Sequence, residues 1–336
     1  MRRYTLFLAV LLPWLVHAGL GPFWVRTLDF ALLYAMLALG LNTVVGFAGL
    51  LDLGYIAFYA VGAYTYALLA SPQFGLHWPF WLTLPLCSLM AAFFGVLLGT
   101  PTLRLRGDYL AIVTLGFGEI VRLFMNNLDQ PVNITNGPQG ISGIDPLPLW
   151  HGFMDQGLSV GSWHVDASIL YYLVFLGVLW FLYSVAYRLQ HSRTGRAWVA
   201  LREDEMAAAA MGIPLRNIKL LAFALGASFG GLAGGLFAAF QGFVSPESFS
   251  LMESIMVLCM VVLGGMGHLP GVIFGAVLLT LMPEVLRALA PLLGGHGIDP
   301  ENLRMLIFGA CLIVVMIFRP QGLWSSRLRA REWQHD

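Results

Sequence analysis

Charge is what this sequence has least of. Of its 336 residues, 11% are charged and 58% are hydrophobic, whereas a soluble domain carries about 25% charged residues. That excludes a soluble globular fold and makes the chain an all-α polytopic membrane protein. Net formal charge is zero, so there is no basic footprint for nucleic acid. Cysteine is also scarce. Cys87, Cys259 and Cys311 all sit in apolar runs with no metal-ligand spacing, which leaves no disulfide framework and no metal site; they read as small buried hydrophobes. No G-x-x-x-x-G-K-[ST] phosphate loop and no H-E-x-x-H pair occurs. The chain is therefore not expected to bind ATP, hold a cofactor or act as an enzyme.

What fills the sequence is hydrophobic runs. A membrane helix needs about 20 apolar residues. Runs of that kind cover 4–20, 28–46, 55–70, 79–100, 109–127, 168–187, 217–240, 251–266, 271–290 and 302–318, which predicts about ten spans in a single transmembrane domain, 1–336. The first run has an alternative reading as a secretory signal, because Arg2 and Arg3 precede it and His17-Ala18-Gly19 resembles a cleavage site. With both termini in the cytoplasm, 14 of the 18 basic residues fall on the cytoplasmic side. Residues 128–167 then form an outer loop with Asp129, Asp145, Asp155 and Asp166 and no Lys or Arg, as the positive-inside rule requires. On this topology spans 2–5 and 7–10 run in opposite directions, as in inverted-repeat transporters.

Three stretches carry chemistry. In residues 40–69, Gly46, Gly49, Gly54 and Gly62 interrupt a spanning run, and Asn42, Asp52, Tyr55, Phe58 and Tyr59 surround the break. Broken membrane helices persist where protein or a water-filled cavity satisfies the freed backbone, often beside substrate. The plainer reading is a cytoplasmic turn with packed aromatics. In residues 104–122, Glu119 lies about ten residues into an apolar run with Arg122 three residues on. That spacing lets them pair, and a structural pair explains them more simply than a proton relay, since Arg122 keeps Glu119 ionised. Glu253, Glu284 and Arg287 lie near span ends, where snorkelling suffices. Glycines recur at every fourth position, Gly226-Gly230-Gly234, Gly231-Gly235 and Gly267-Gly271-Gly275, a spacing for close helix packing.

The third stretch is the one long charged segment, 188–216. Glu203, Asp204 and Glu205 precede Met206 and four alanines, and Gly212 and Pro214 follow. Acids suit a first helical turn, alanine is the best helix former, and Gly then Pro stops a helix. A short helix over 203–211 follows, with Met206, Ala207, Ala210 and Met211 on a small apolar face suited to a groove on a cytoplasmic partner.

The stretches Gly49–Tyr64, Arg104–Arg122, Thr135–Ile144, Ser192–Gly212, Gly226–Glu247 and Phe318–Trp324 together resemble the M-type permease subunit of bacterial ATP-binding-cassette importers for branched-chain amino acids. Glu205 and Gly212 fit the coupling motif of the wider permease superfamily, while its Ile-x-Leu-Pro tail is absent. The resemblance implies a coupling helix at 203–212, with Arg202, Glu203, Asp204, Glu205, Ala207, Ala208, Met211 and Gly212 at the ATPase contact. It implies a bacterial inner-membrane location and, as partners, two cytoplasmic ATPases carrying ATP and Mg, a second permease subunit and a periplasmic binding protein. A urea or short-chain amide permease of the same family and an ion-coupled carrier are the competing readings.

Overall fold

The computed structural model describes residues 3–289, apart from 104, 106, 130, 131, 150, 151, 161 and 162, and beyond them only Gly309, Ile313 and Leu323. The predicted tenth run, 302–318, and Cys311 lie outside the described residues. The described chain is a helical bundle: α1 (Arg3–Leu20), α2 (Pro22–Leu41), a π-helical turn (Asn42–Phe47), α3 (Ile56–Leu69), α4 (Phe80–Thr102) and α5 (Asp108–Asn127) come first. After the 128–166 loop come α6 (Ala167–Gln190), the short α7 (Arg193–Glu203) and α8 (Glu205–Ala210), then α9 (Leu215–Gln241), α10 (Leu251–Gly264) and α11 (Leu269–Leu289). Six stretches are long and apolar enough to cross a membrane: Pro22–Phe47, Phe80–Thr102, Tyr109–Asn127, Ala167–Gln190, Leu215–Gln241 and Leu269–Ala288. The chain is a multi-pass membrane protein.

Two helices form the middle of the bundle. Along α2, Ala35 to Leu41 are all buried, and along α9 so are Gly226, Ala227, Gly230, Gly231, Ala233, Gly234 and Gly235. The offset glycine ladders of α9 serve two different neighbours. Gly230 and Gly234 receive α3, where a side chain at Gly234 would meet the backbone of Tyr59 and Ala63; Gly231 and Gly235 receive α4 at Cys87 and Ala91. Small residues are needed because the backbones themselves are in contact. On the other side, Gly264 of α10 packs on Gly271 of α11, and Gly275 packs on Met260. Gly267 is not part of that ladder: it sits in the α10–α11 turn with a positive φ of 83°.

Helices α3 and α10 are the exceptions in length. Each has 14 residues, about 21 Å of helix against a hydrocarbon core of about 30 Å. Each follows an irregular stretch that folds back into the bundle. The stretch before α3 leaves the π-helical turn at one end of the bundle and reaches the middle of α5, where Gly54 packs on Thr114 and Gly118 and the Leu53 N–H donates to Thr114 Oγ1 at 3.0 Å. The stretch before α10 enters from the opposite end. There β2 (Phe243–Val244) pairs antiparallel with β1 (Ile141–Ser142) of the loop. Phe249 then reaches Tyr59, with ring centroids 5.4 Å apart. The two helix starts meet: the Ile56 N–H donates to Ser254 Oγ at 3.1 Å. From there α3 runs toward the loop end and α10 toward the end occupied by α7 and α8.

Candidate coupling site and broken-helix region

The 188–216 segment folds as two helices rather than one. Ser192 caps α7 through the Gly195 N–H. Asp204 then breaks the chain at φ −152° and caps α8, its Oδ1 accepting from Met206 and Ala207 N–H at 2.7 and 3.0 Å. The single helix read over 203–211 is thus corrected: Glu203 ends α7, and α8 begins only at Glu205. An aspartate satisfies orphan N–H groups better as a cap than it serves inside a helix, so the middle acid of the three sets the boundary. Gly212 follows with φ 80°, a conformation that suits glycine.

This segment is fixed to the bundle along one side and open along the other. Trp198 is fully buried, donates Nε1–H to the Ile218 carbonyl at 2.9 Å and stacks on Phe47 of the π-helical turn. Arg202 donates Nη1–H to the Gly46 carbonyl at 2.8 Å, its stem lying against Gly49. Glu205 pairs with Lys219 at 2.5 Å, and Lys219 is buried. Ala208 is buried as well, so it packs inward. Ala207, Ala209, Ala210 and Gly212 are exposed, and Met206 and Met211 are 70% and 83% exposed. Two bare methionines beside alanines make an apolar cap that none of the described residues covers.

The clamp continues inward through Asn42. Its Oδ1 accepts the Gly267 N–H at 2.8 Å from the α10–α11 turn, and Gln190 Nε2 donates to the Gly267 carbonyl at 3.3 Å. Arg202, Gly46, Asn42 and Gly267 therefore join α7, the end of α2 and the end of α10 in one polar chain. A π-helical turn at such a junction is a frequent mark of function.

The remaining break residues lie deeper. Asp52 is buried; its Oδ1 accepts the Gly54 N–H at 2.9 Å, and Oδ2 has no hydrogen-bond partner among the described residues. Tyr55 donates its hydroxyl to the Gly226 carbonyl at 2.9 Å, filling the contact between α2 and α9. Phe58 is buried against Tyr55 and Phe117, and Tyr59 against Phe237 and Phe249. Asn42 and Tyr59 thus sit at separate levels of the bundle, not around one pocket. On α5, Arg122 donates Nε–H to both Glu119 oxygens at 3.2 Å, and its Nη1 lies 3.5 Å from Glu247 Oε1. Glu253 is not at a snorkelling distance from a span end: it accepts the Tyr34 hydroxyl at 2.7 Å, halfway along α2.

Two features escape the sequence reading. Asp29 is fully buried in α2, and neither carboxylate oxygen has a hydrogen-bond partner among the described residues; its position just inside the second apolar run was the available signal. Gly226-Ala-Ser228-Phe-Gly230 also matches the hydrolase pattern G-x-S-x-G. That pattern needs a strand-to-helix elbow, whereas here it is continuous helix with Ser228 Oγ donating to the Leu225 carbonyl.

Comparison with known proteins places the chain in a family. A family profile described as the permease component of the branched-chain amino acid transport system matches residues 24–316. The permease LivM of the high-affinity branched-chain amino acid transport system of Escherichia coli (strain K12) is 48% identical over 334 residues, covering 95% of this chain and 73% of that protein. Its counterpart in Salmonella typhimurium (strain LT2) is 47% identical, with the same coverage. The companion permease LivH of Escherichia coli (strain K12) is 25% identical over 299 residues, 86% of this chain and 90% of LivH. No solved structure matches. With a profile spanning most of the chain and near-half identity to LivM, this chain belongs to the branched-chain amino-acid permeases of ATP-binding-cassette transporters, on the M-type branch.

Proposed function

We propose that this chain is the membrane-spanning permease subunit of an ATP-driven importer that carries branched-chain amino acids across the bacterial inner membrane. It does no chemistry of its own and needs no cofactor; ATP and Mg act on two partner ATPases. A second permease of the LivH kind and a periplasmic binding protein complete the assembly. The chain is a single domain, 1–336, of ten spans, with 128–167 outside and 188–216 in the cytoplasm. Both termini are cytoplasmic: α1 ends at the loop end, where His17 lies 3.4 Å from Asp166, and the Leu323 N–H donates to the Leu263 carbonyl at the α7–α8 end. Spans 2–5 and 7–10 are inverted repeats, with α3 and α10 as equivalent half-helices.

The observation that carries this reading is the segment α7–α8. Its exposed apolar cap at Met206, Ala207, Ala210, Met211 and Gly212, with the exposed Glu203 beside it, seats the ATPase, and Arg202, Asp204, Glu205 and Ala208 hold that cap in place. A carrier driven by an ion gradient has no use for such a cap. Closure of the ATPases pushes α8, α7 moves with it, and the junction at Gly46, Asn42 and Gly267 shifts the balance of inward- and outward-open states. The relatives named for branched-chain amino acids favour that substrate over urea or amides. Co-purification tests the reading: the tagged chain brings down an ATPase, and a chain with 205–210 replaced by Gly/Ser does not. Normal ATPase recovery with the replaced segment refutes it.

A further inference from the structure

A cavity of about 200 Å³ lies beside the meeting point of α3 and α10. Roughly 15 Å³ of such space holds one water, so the cavity has room for a small solute. Its lining combines the apolar Phe30, Leu33 and Phe237 with Tyr34, Tyr59, Ser248 and Glu253. Glu253 stands in the first turn of α10, and no Lys or Arg is among the described lining residues. A carboxylate halfway through a membrane bundle is expensive unless something cationic joins it, and the Tyr34 hydroxyl is a neutral partner. A carboxylate set among apolar side chains suits a molecule with an ammonium group and an apolar side chain. The start of α10 supplies partial positive charge for a carboxylate on that same molecule.

We infer that this cavity is a transient binding site inside the permease for a zwitterionic amino acid. Glu253 takes the α-ammonium group, and Phe30, Leu33 and Phe237 enclose an aliphatic side chain. The site gives the substrate its polar contact at mid-depth, far from the coupling segment. This inference rests on the reading of the chain as an amino-acid importer subunit.

The test uses the whole complex in proteoliposomes, with this chain carrying Ser248→Cys and Cys311→Ser; Cys87 and Cys259 are buried. Excess free leucine slows labelling of the new thiol by a small maleimide, and Glu253→Gln abolishes that protection. Glu253→Gln also lowers leucine uptake about tenfold, the equivalent of one charge-assisted hydrogen bond, and Leu33→Trp blocks uptake by filling the cavity. A labelling rate unaffected by leucine, in a complex that still imports leucine, overturns the inference. Because Ser248→Cys preserves size, that result stands even if the other variants assemble poorly. A wild-type complex that imports no leucine at all refutes the importer reading instead, and this inference with it.

Discussion

Arg202 is one of the residues that tie the exposed α7–α8 segment to the membrane bundle, beside Trp198 and Glu205. Its single hydrogen bond to the Gly46 carbonyl bridges 156 positions of sequence. A hydrogen bond from a charged group contributes about 1.5–3 kcal/mol. Arg202→Met keeps the stem against Gly49 and removes the bond. The expected outcome is an assembled complex that still hydrolyses ATP but imports leucine several-fold more slowly. Unchanged coupling of hydrolysis to uptake would remove Arg202 from the transmission path. On α5 the pair Glu119–Arg122 is a second residue-scale test. Reversing either charge alone impairs assembly or uptake, and reversing both restores part of the loss. The rescue is partial because the reversal sets a second carboxylate beside Glu247, 3.5 Å from the present guanidinium; adding Glu247→Gln completes it. Uptake in the double reversal as poor as in the single ones argues that the pair has another role. Glu119 and Arg122 were legible because a three-residue spacing fixes a helical face. The contact with Glu247 was not, since nothing local records a neighbour 125 positions away.

At the scale of elements, the glycines decide which helices touch. The fourth-position spacing on α9 was plain in the sequence, but spacing alone does not assign partners. The structure gives one ladder to α3 and the other to α4 because adjacent glycines point about 100° apart around a helix. Gly62 of α3 meets the backbone of Gly231 directly, so Gly62→Leu drives two helices apart rather than displacing a side chain. Overpacking of this kind costs about 3 kcal/mol or more, and the expected result is loss of the purified complex, measured by yield and thermal unfolding. Gly177 of α6 has open space around it, so Gly177→Leu leaves the yield unchanged. Equal yields for the two variants contradict the packing assignment. The coupling segment shows the complementary limit of sequence reading. Three consecutive acids mark a helix start, yet only the Asp204 side-chain geometry decides where it begins. Its two accepted N–H bonds split a predicted single helix into α7 and α8 and separate the clamping face from the docking face.

At the scale of the whole molecule, the arrangement of α3 and α10 places polar groups at mid-depth in a nearly uncharged bundle, as the proposed path for a zwitterion requires. Ten full-length helices would satisfy every backbone group internally and leave no polar points at mid-depth. Two half-length helices starting at one level supply them, together with Ser254, Glu253 and the irregular stretches that lead in. The break before α3 was readable in its glycines. Its counterpart before α10 was not, because Ser245, Pro246 and Ser250 sit between spans in a run that reads as an ordinary turn. On the proposed inverted-repeat reading α3 and α10 belong to different repeats, and each packs across the boundary between them, α3 on α9 and α10 on α2. A change between inward- and outward-open states that moves the repeats against each other must therefore disturb the contact between Ile56 and Ser254. Joining these positions as Ile56→Cys and Ser254→Cys, in a chain with the native cysteines replaced, tests this. Oxidation is expected to arrest leucine uptake and a reductant to restore it, with ATPase binding at α8 retained throughout. Full cross-linking with undiminished uptake would mean that α3 and α10 move as one body, and the moving boundary would then lie elsewhere, between this chain and its partner permease.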